Sequence, residues 1–314
     1  MIKYLVTGIL FLFTVQLEGQ ENCKKLTRKR VGAGGNDCCI EDASLADSML
    51  ISAQLYWKDS LQKVHAPFGL PTSKNPHVVI LYAPHYVCGY DTVFHVPIWV
   101  QYKMSNSSER DNELTRVDCF RPDPRLPANQ QISHADYTRS GFDRGHLKPA
   151  DDSKKNLVEH LNSFVMSNMA PQCGYMNRQE WRTIESYVNG VSRQDSVKRA
   201  YMITGSVVDE NPKYIYDKVA VPSWFYKIFF FQSTSGNWYY WVFYVKNDDV
   251  RAEIRDFENE LLENLKSIDE LELLTSTNFY VARRKQKKIE GNLYSGHLFS
   301  GMFSHGYSSS YSDF

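Results

Sequence analysis

The sequence carries no excess of either charge: 36 Lys and Arg offset 36 Asp and Glu over 314 residues. That argues against a protein that coats nucleic acid by bulk electrostatics, because such proteins are as a rule strongly basic. It leaves room for local phosphate contacts. Glycine is scarce, at 17 residues, which excludes a collagen-like chain. The six cysteines contain no CxxC pair, so a thiolate zinc site is not expected. No internal repeat is present. Beyond Val15 no run is long and apolar enough for a bilayer, which needs about 20 such residues. What is there is ordinary for a folded globular chain: 42% hydrophobic and 23% charged residues, too apolar for disorder. The aromatics (20 Tyr, 17 Phe, 6 Trp) predict a well-filled core.

The first residues predict export. Lys3 is the only charge before Glu18, and the run Leu5 to Val15 between them is apolar. A short basic start, an apolar stretch and small Gly19 read as a signal peptide over 1–19. All six cysteines (Cys23, Cys38, Cys39, Cys88, Cys119, Cys173) follow it, and Asn106-Ser107-Ser108 is an N-glycosylation sequon. An even cysteine count in an exported chain suggests disulfides. The expectation is therefore a secreted, disulfide-bonded glycoprotein.

Four regions follow. A Cys-containing basic arm spans 20–40, a main domain 41–294 and a Gly/Ser/Tyr-rich tail 295–314, after the signal at 1–19. Within the main domain, 43–64 has helical spacing. His77 to Tyr82, Ile98 to Lys103, Tyr201 to Thr204, Trp224 to Phe231 and Trp238 to Val245 read as strands, the last two joined as a hairpin. Apolar Val250, Ile254, Phe257, Leu261, Leu265 and Ile268 predict an amphipathic helix. Arg283 to Lys288 is a basic run, most simply a solvated face. One α+β domain is the simplest description.

The chemistry is concentrated in 133–188. Ser140-Gly141-Phe142-Asp143-Arg144-Gly145-His146-Leu147-Lys148 is followed by Ser167-Asn168-Met169-Ala170-Pro171-Gln172, then Asn177-Arg178, Trp181 and Glu185. Phosphodiester hydrolysis needs a base for water, and His titrates nearest neutrality. It needs a cation and donors for the transition state. A hard ion such as Mg²⁺ takes oxygen ligands and keeps several waters, so one amide oxygen suffices as a direct ligand. His146, Arg144, Asn177 and Glu185 supply these types. In an α-helix opened by Asn177, Glu185 would lie about 80° away around the axis. Each residue alone has a plainer reading: a structural His, a turn Arg, a helix-capping Asn.

Taken together, Asp-Arg-Gly-His, Asn-Met-Ala-Pro-Gln and Asn-Arg-x-x-Trp-x-x-x-Glu resemble the DNA/RNA non-specific endonuclease family, which includes secreted bacterial non-specific nucleases and endonuclease G. Trp99 to Lys103, Phe120 to Arg125, Ala135 to Tyr137, Tyr201 to Gly205 and Val221 to Lys227 extend the resemblance over about 65–280 of the chain. It implies an α+β, ββα-metal nuclease fold with a central antiparallel sheet flanked by helices. It implies His146 as general base, Asn177 as the direct Mg²⁺ ligand (Mn²⁺ standing in), and Glu185 holding the ion's water shell. Arg144 would meet the phosphate and Asn168 would support the base. Arg116 or Arg121 would be a further phosphate contact.

The implied partners are DNA and RNA, the implied product a 5′-phosphate, and a homodimer is left open. Lys148 departs from the family pattern and would add a phosphate contact or alter specificity. Gln179-Glu180 replaces a common Gly-Pro. Cys88 to Asp91, with Trp99 to Tyr102, also resembles the nuclease-like domain of ectonucleotide pyrophosphatases. The alternative is thus a catalytically silent nuclease-like module.

Overall fold

The computed structural model describes residues 40–105, 114, 116–154, 156–249 and 265–279. Helix α1 (Ile40–Tyr56) and helix α2 (Lys58–His65) come first. One helix was expected over 43–64. Trp57 divides it, because its backbone at φ −115° and ψ 8° leaves the helical region.

Then come β1 (Thr72–Ser73), β2 (Val78–Ala83), β3 (Tyr86–Asp91), β4 (Val96–Lys103), β5 (Asp143–His146), α3 (Leu157–Asn162) and β6 (Met169–Gln172). A π-helical turn, Met176–Trp181, runs directly into α4 (Arg182–Ser192). β7 (Val197–Val207), β8 (Lys213–Ile215), β9 (Val219–Val221), β10 (Trp224–Ser233), β11 (Trp238–Lys246), α5 (Ile268–Thr275) and β12 (Thr277–Asn278) complete it.

Six strands form the central sheet in the order β11-β10-β7-β4-β3-β2, and every neighbouring pair is antiparallel. Both faces are covered. In β10 the run Phe225 to Phe231 is buried at every residue, and apart from Lys227 it reads as a continuous apolar segment rather than an alternation. One face presents Phe225, Phe229, Trp241 and Phe243 to Trp181, Ile184 and Val188. The other presents Tyr226, Ile228, Phe230 and Val242 to Leu61, Ile268 and Leu271. On the first face lies the short ribbon β5–β6 followed by the π turn and α4, a ββα unit.

The β10–β11 hairpin pairs Trp224 with Lys246 through Gln232 with Trp238, as its sequence suggests. β3 was not expected. Its six residues are all buried, so the polar-apolar alternation that marks a half-exposed strand is missing. Ile268, expected to end the helix from Val250, instead opens α5, with Ser267 as its cap accepting from Glu270 N. Most of that expected helix, residues 250–264, lies outside the described residues. So do the signal, the basic arm, the sequon, the basic run and the tail.

Cysteine pairing is narrower than expected. Cys88 and Cys173 carry free thiols, while Cys119 is disulfide-bonded. Among the described residues no helix is long and apolar enough to cross a membrane.

Gly205 shows how tightly the sheet is filled. It sits in β7 between β4 and β10. A Cβ there would collide with the Ile98 carbonyl oxygen and the Tyr226 ring end, which are themselves joined by a 3.0 Å hydrogen bond from Tyr226 Oη. Gly205→Ala is expected to lower stability by about 1–3 kcal/mol through overpacking. Urea unfolding checks it, and an unchanged midpoint would show that the sheet yields there.

Candidate active site

The site is built on the four residues of β5. Alternation along a strand puts Arg144 and His146 on one side and Asp143 and Gly145 on the other. β6 pairs with it, Asp143 opposite Gln172 and His146 opposite Met169. Gly145 is required by this pairing, because a Cβ there would run into the Gln172 side chain. The chain just past His146 is clamped by Asn168, which has no exposed surface. Its amide oxygen accepts from Lys148 N (2.9 Å), and its amide nitrogen donates to the Lys148 and Ser163 carbonyls (3.0 and 2.7 Å). Asn168 therefore positions the histidine through the backbone.

His146 is seated on aromatic rings. The ring of Phe164 lies 4.8 Å away, edge to face, and that of Phe120 5.8 Å away. These two phenylalanines also pack edge to face, 5.0 Å apart. Each carries a guanidinium: Arg144 is 4.2 Å from the Phe120 centroid and Arg116 is 5.3 Å from the Phe164 centroid. Such cation–π contacts hold a positive group beside an apolar wall. Arg144 also meets the His134 ring. Arg116 is half exposed and pairs with Asp118 at 2.6 Å.

Burial, followed by the charges of Arg116 and then of His160, Arg144 and Lys148, pushes the His146 imidazole down to about 3. It is thus neutral at ordinary pH. Its Nε2 is buried without a hydrogen-bond partner among the described residues.

The helix is docked to the same strand. Asp143 takes Asn177 Nδ2 on Oδ2 (2.9 Å) and grips Arg178 through Nε and a terminal nitrogen (2.9 and 2.6 Å). Trp181 Nε1 donates to the His146 carbonyl at 3.4 Å. With its nitrogen engaged on Asp143, the Asn177 amide keeps its carbonyl oxygen available. Asn177 lies in the π turn, not in α-helix. The wider turn changes the phase, so the all-α angle between Asn177 and Glu185 does not hold. π turns of this kind occur often at functional sites.

Glu185 Oε1 accepts from Lys227 Nζ at 3.1 Å, and that ammonium also lies 4.0 Å over the Trp181 ring. Burial raises the Glu185 carboxyl to about 7, against the opposing pull of Lys227. Asp152 adds a further negative charge beside both groups. Its Oδ1 accepts from Asn189 at 3.0 Å.

Two expected substrate contacts are placed elsewhere. Arg121 is spent on structure: its guanidinium donates to Asp47, the Leu161 carbonyl and Asn162, at 2.6–2.7 Å. Lys148 is buried, donating to Ser153 Oγ at 2.8 Å with its ammonium 4.9 Å over Tyr102. The sequence reading missed Asp143 as the group that aims Asn177, Phe164 as the seat of the base, and Lys227 as the partner of Glu185. Lys227 had a signal, a lone charge within Trp224 to Phe231, which only a buried partner would permit.

A ββα unit on an antiparallel sheet, with a histidine on its first strand and an amide and a carboxylate along its helix, defines a ββα-type nuclease fold. The chain belongs to the DNA/RNA non-specific endonuclease family, whose model matches residues 62–286. It is 29% identical over 246 residues to "Nuclease EXOG, mitochondrial" of Danio rerio, covering 74% of this chain and 69% of that protein. It is 30% identical over 230 residues to a "Nuclease" of Nostoc sp., covering 71% and 81%. Human "Endonuclease G, mitochondrial" is 29% identical over 162 residues, or 48% of this chain and 54% of that one. The fold is similar to the solved structure of an EndoG/EndoGI complex, with TM-score 0.62 and 24% identity over 73% of this chain and 94% of that one.

A lowered pKa means that the folded protein releases the His146 proton more readily than the unfolded chain. In metal-free protein His146 should titrate well below the ordinary 6.5. Stability should then fall as the pH drops below that value, because the unfolded chain takes up the proton first. Histidine-selective NMR, assigned with His146→Ala, reads the midpoint. A midpoint at or above 6.5 would contradict the dry, cationic setting described.

Proposed function

We propose that the chain is an exported, Mg²⁺-dependent endonuclease that hydrolyses DNA and RNA with little sequence preference and leaves 5′-phosphates. The observation that carries this is the His146 imidazole with an unpartnered Nε2, packed on Phe120 and Phe164, the two rings that carry the Arg144 and Arg116 guanidiniums.

The residues present fit a hard divalent ion. The Asn177 amide is oriented by Asp143 with its oxygen available, and Glu185 has a second carboxylate oxygen beyond the one on Lys227. Among the described residues no group of three or more His, Cys, Asp or Glu stands ready to hold a metal. An ion here would keep most of its waters, which suits Mg²⁺, or Mn²⁺ in its place. When bound, such an ion supplies charge stabilisation at the phosphate.

His146 Nε2 accepts the proton of the attacking water. Arg144 and Arg116 bind the phosphate and offset its growing charge. Burial is the main reason His146 is held down, and the smaller contribution of these two guanidiniums would be partly neutralised by an incoming phosphate. The imidazole then becomes a stronger base once substrate is bound. Asp143 keeps Asn177 facing the site, and Lys227 fixes the Glu185 carboxylate.

Plasmid and RNA digestion with Mg²⁺, with excess EDTA and with His146→Ala tests the reading. Cutting of both polymers that EDTA abolishes is expected, with a loss of about 10²–10⁴ in turnover for folded His146→Ala. Near wild-type rates in that variant would overturn the assignment. Absence of cutting by folded, metal-supplied protein would favour the silent module.

Asn177→Ala should raise the Mg²⁺ concentration needed for half-maximal rate. An Mg²⁺ titration of the same shape and amplitude as wild type would remove Asn177 as the ligand. Export rests on the basic start and apolar run before Gly19. Expression in a secretory host should deliver protein lacking roughly the first 19 residues to the medium, and N-terminal sequencing reads the cut. Retention of the uncut chain inside the cell would dismiss it.

A further inference from the structure

A cavity of about 500 Å³ opens between α2, the β2–β3 turn and the neighbouring ends of β4 and β7. It is separate from the catalytic constellation, since His146, Arg144, Asn177 and Glu185 do not line it. Lys103, Lys198 and Arg199 on its wall are exposed. Arg199 is steadied by donating Nε to Gln232 at 2.7 Å. Deeper in, Lys148 is 3% exposed and His85 4%. Lys103, Lys148 and Lys198 line it with two carboxylates, Asp152 and Glu159, while the Arg199 guanidinium at its rim lies 5.3 Å from the Trp238 ring centroid. Burial pushes the Glu159 carboxyl up, which weakens the acidic side further.

His85 carries the argument. Neither of its ring nitrogens has a hydrogen-bond partner among the described residues. The other histidine of this cavity, His65, is satisfied on both sides: Nε2 lies 3.1 Å from the Pro84 carbonyl, and Nδ1 accepts from Lys103 N at 3.3 Å. A buried polar side chain is almost always paired. A neutral imidazole offers one donor and one acceptor. An anion that still carries a hydroxyl proton offers both in return, and a monoprotonated phosphate is of that kind. The surrounding ammonium and guanidinium groups would meet its remaining oxygens. The volume accommodates a phosphate or a whole mononucleotide.

We propose that this cavity is a binding site for a protonated phosphate group, either inorganic phosphate or the phosphate of a mononucleotide, distinct from the catalytic centre. The proposal stands on the cavity alone and does not require the nuclease chemistry.

Titration calorimetry of the full chain in EDTA, with inorganic phosphate and separately with a nucleoside 5′-monophosphate, tests it. Saturable binding is expected, weakened about threefold by Lys103→Ala or Arg199→Ala, as for an exposed ion pair. It should be lost in His85→Phe and retained in Arg144→Ala. The exposed Lys103 and Arg199 variants keep the test valid if His85→Phe fails to fold. Tighter binding of the nucleotide assigns the site to a nucleotide phosphate, and equal or weaker binding to the free anion. No binding of either, or binding lost in Arg144→Ala and indifferent to Lys103→Ala and Arg199→Ala, would overturn the proposal.

Discussion

Lys227 stands in the middle of β10 with no exposed surface, its ammonium 3.1 Å from Glu185 and 4.0 Å from the Trp181 centroid. A charge taken out of water is costly unless it is paired in good geometry. Lys227 therefore demands a carboxylate at one place above the sheet, and α4 supplies it. The ring of Trp181 shields the ammonium and also donates to the carbonyl of His146. One buried cation thus ties the central sheet, the helix and the catalytic strand together. Removing Glu185 would leave the buried Lys227 ammonium without its carboxylate.

The base is managed in the opposite way. His146 is kept neutral by apolar rings and nearby positive charge. Burial contributes most to this, and the neighbouring cations add to it. The chain as a whole is charge-neutral, so any attraction of a polyanion is local.

Membership of the DNA/RNA non-specific endonuclease family frames the departures. Gln179 and Glu180 lie inside the π turn that presents Asn177, so the change from the family's common Gly-Pro falls at the helix entry. Lys148, the other departure, is buried and donates to Ser153 Oγ. It lines the basic cavity with His85, which gives that residue a separate context.

Much of the framework was legible in the sequence. The aromatic and β-branched runs marked β4, β7, β10 and β11, and the polar loop after β10 marked their hairpin, because such preferences are local. The short motifs singled out His146, Asn177 and Glu185 because in combination they resemble the family pattern. What stayed hidden was set by distance along the chain. β3 is buried on both faces and shows no alternation. The break at Trp57 and the π turn at Met176–Trp181 are decided by how each helix docks. Phe164 beneath His146, Lys227 beneath Glu185 and the removal of Arg121 to Asp47 join residues 18, 42 and 74 positions apart. The sequence by itself determined which chemical groups are present and which segments are strands. The tertiary structure decided which groups share a dry environment and whether each is charged, since burial and charge partners depend on contacts between segments remote in sequence.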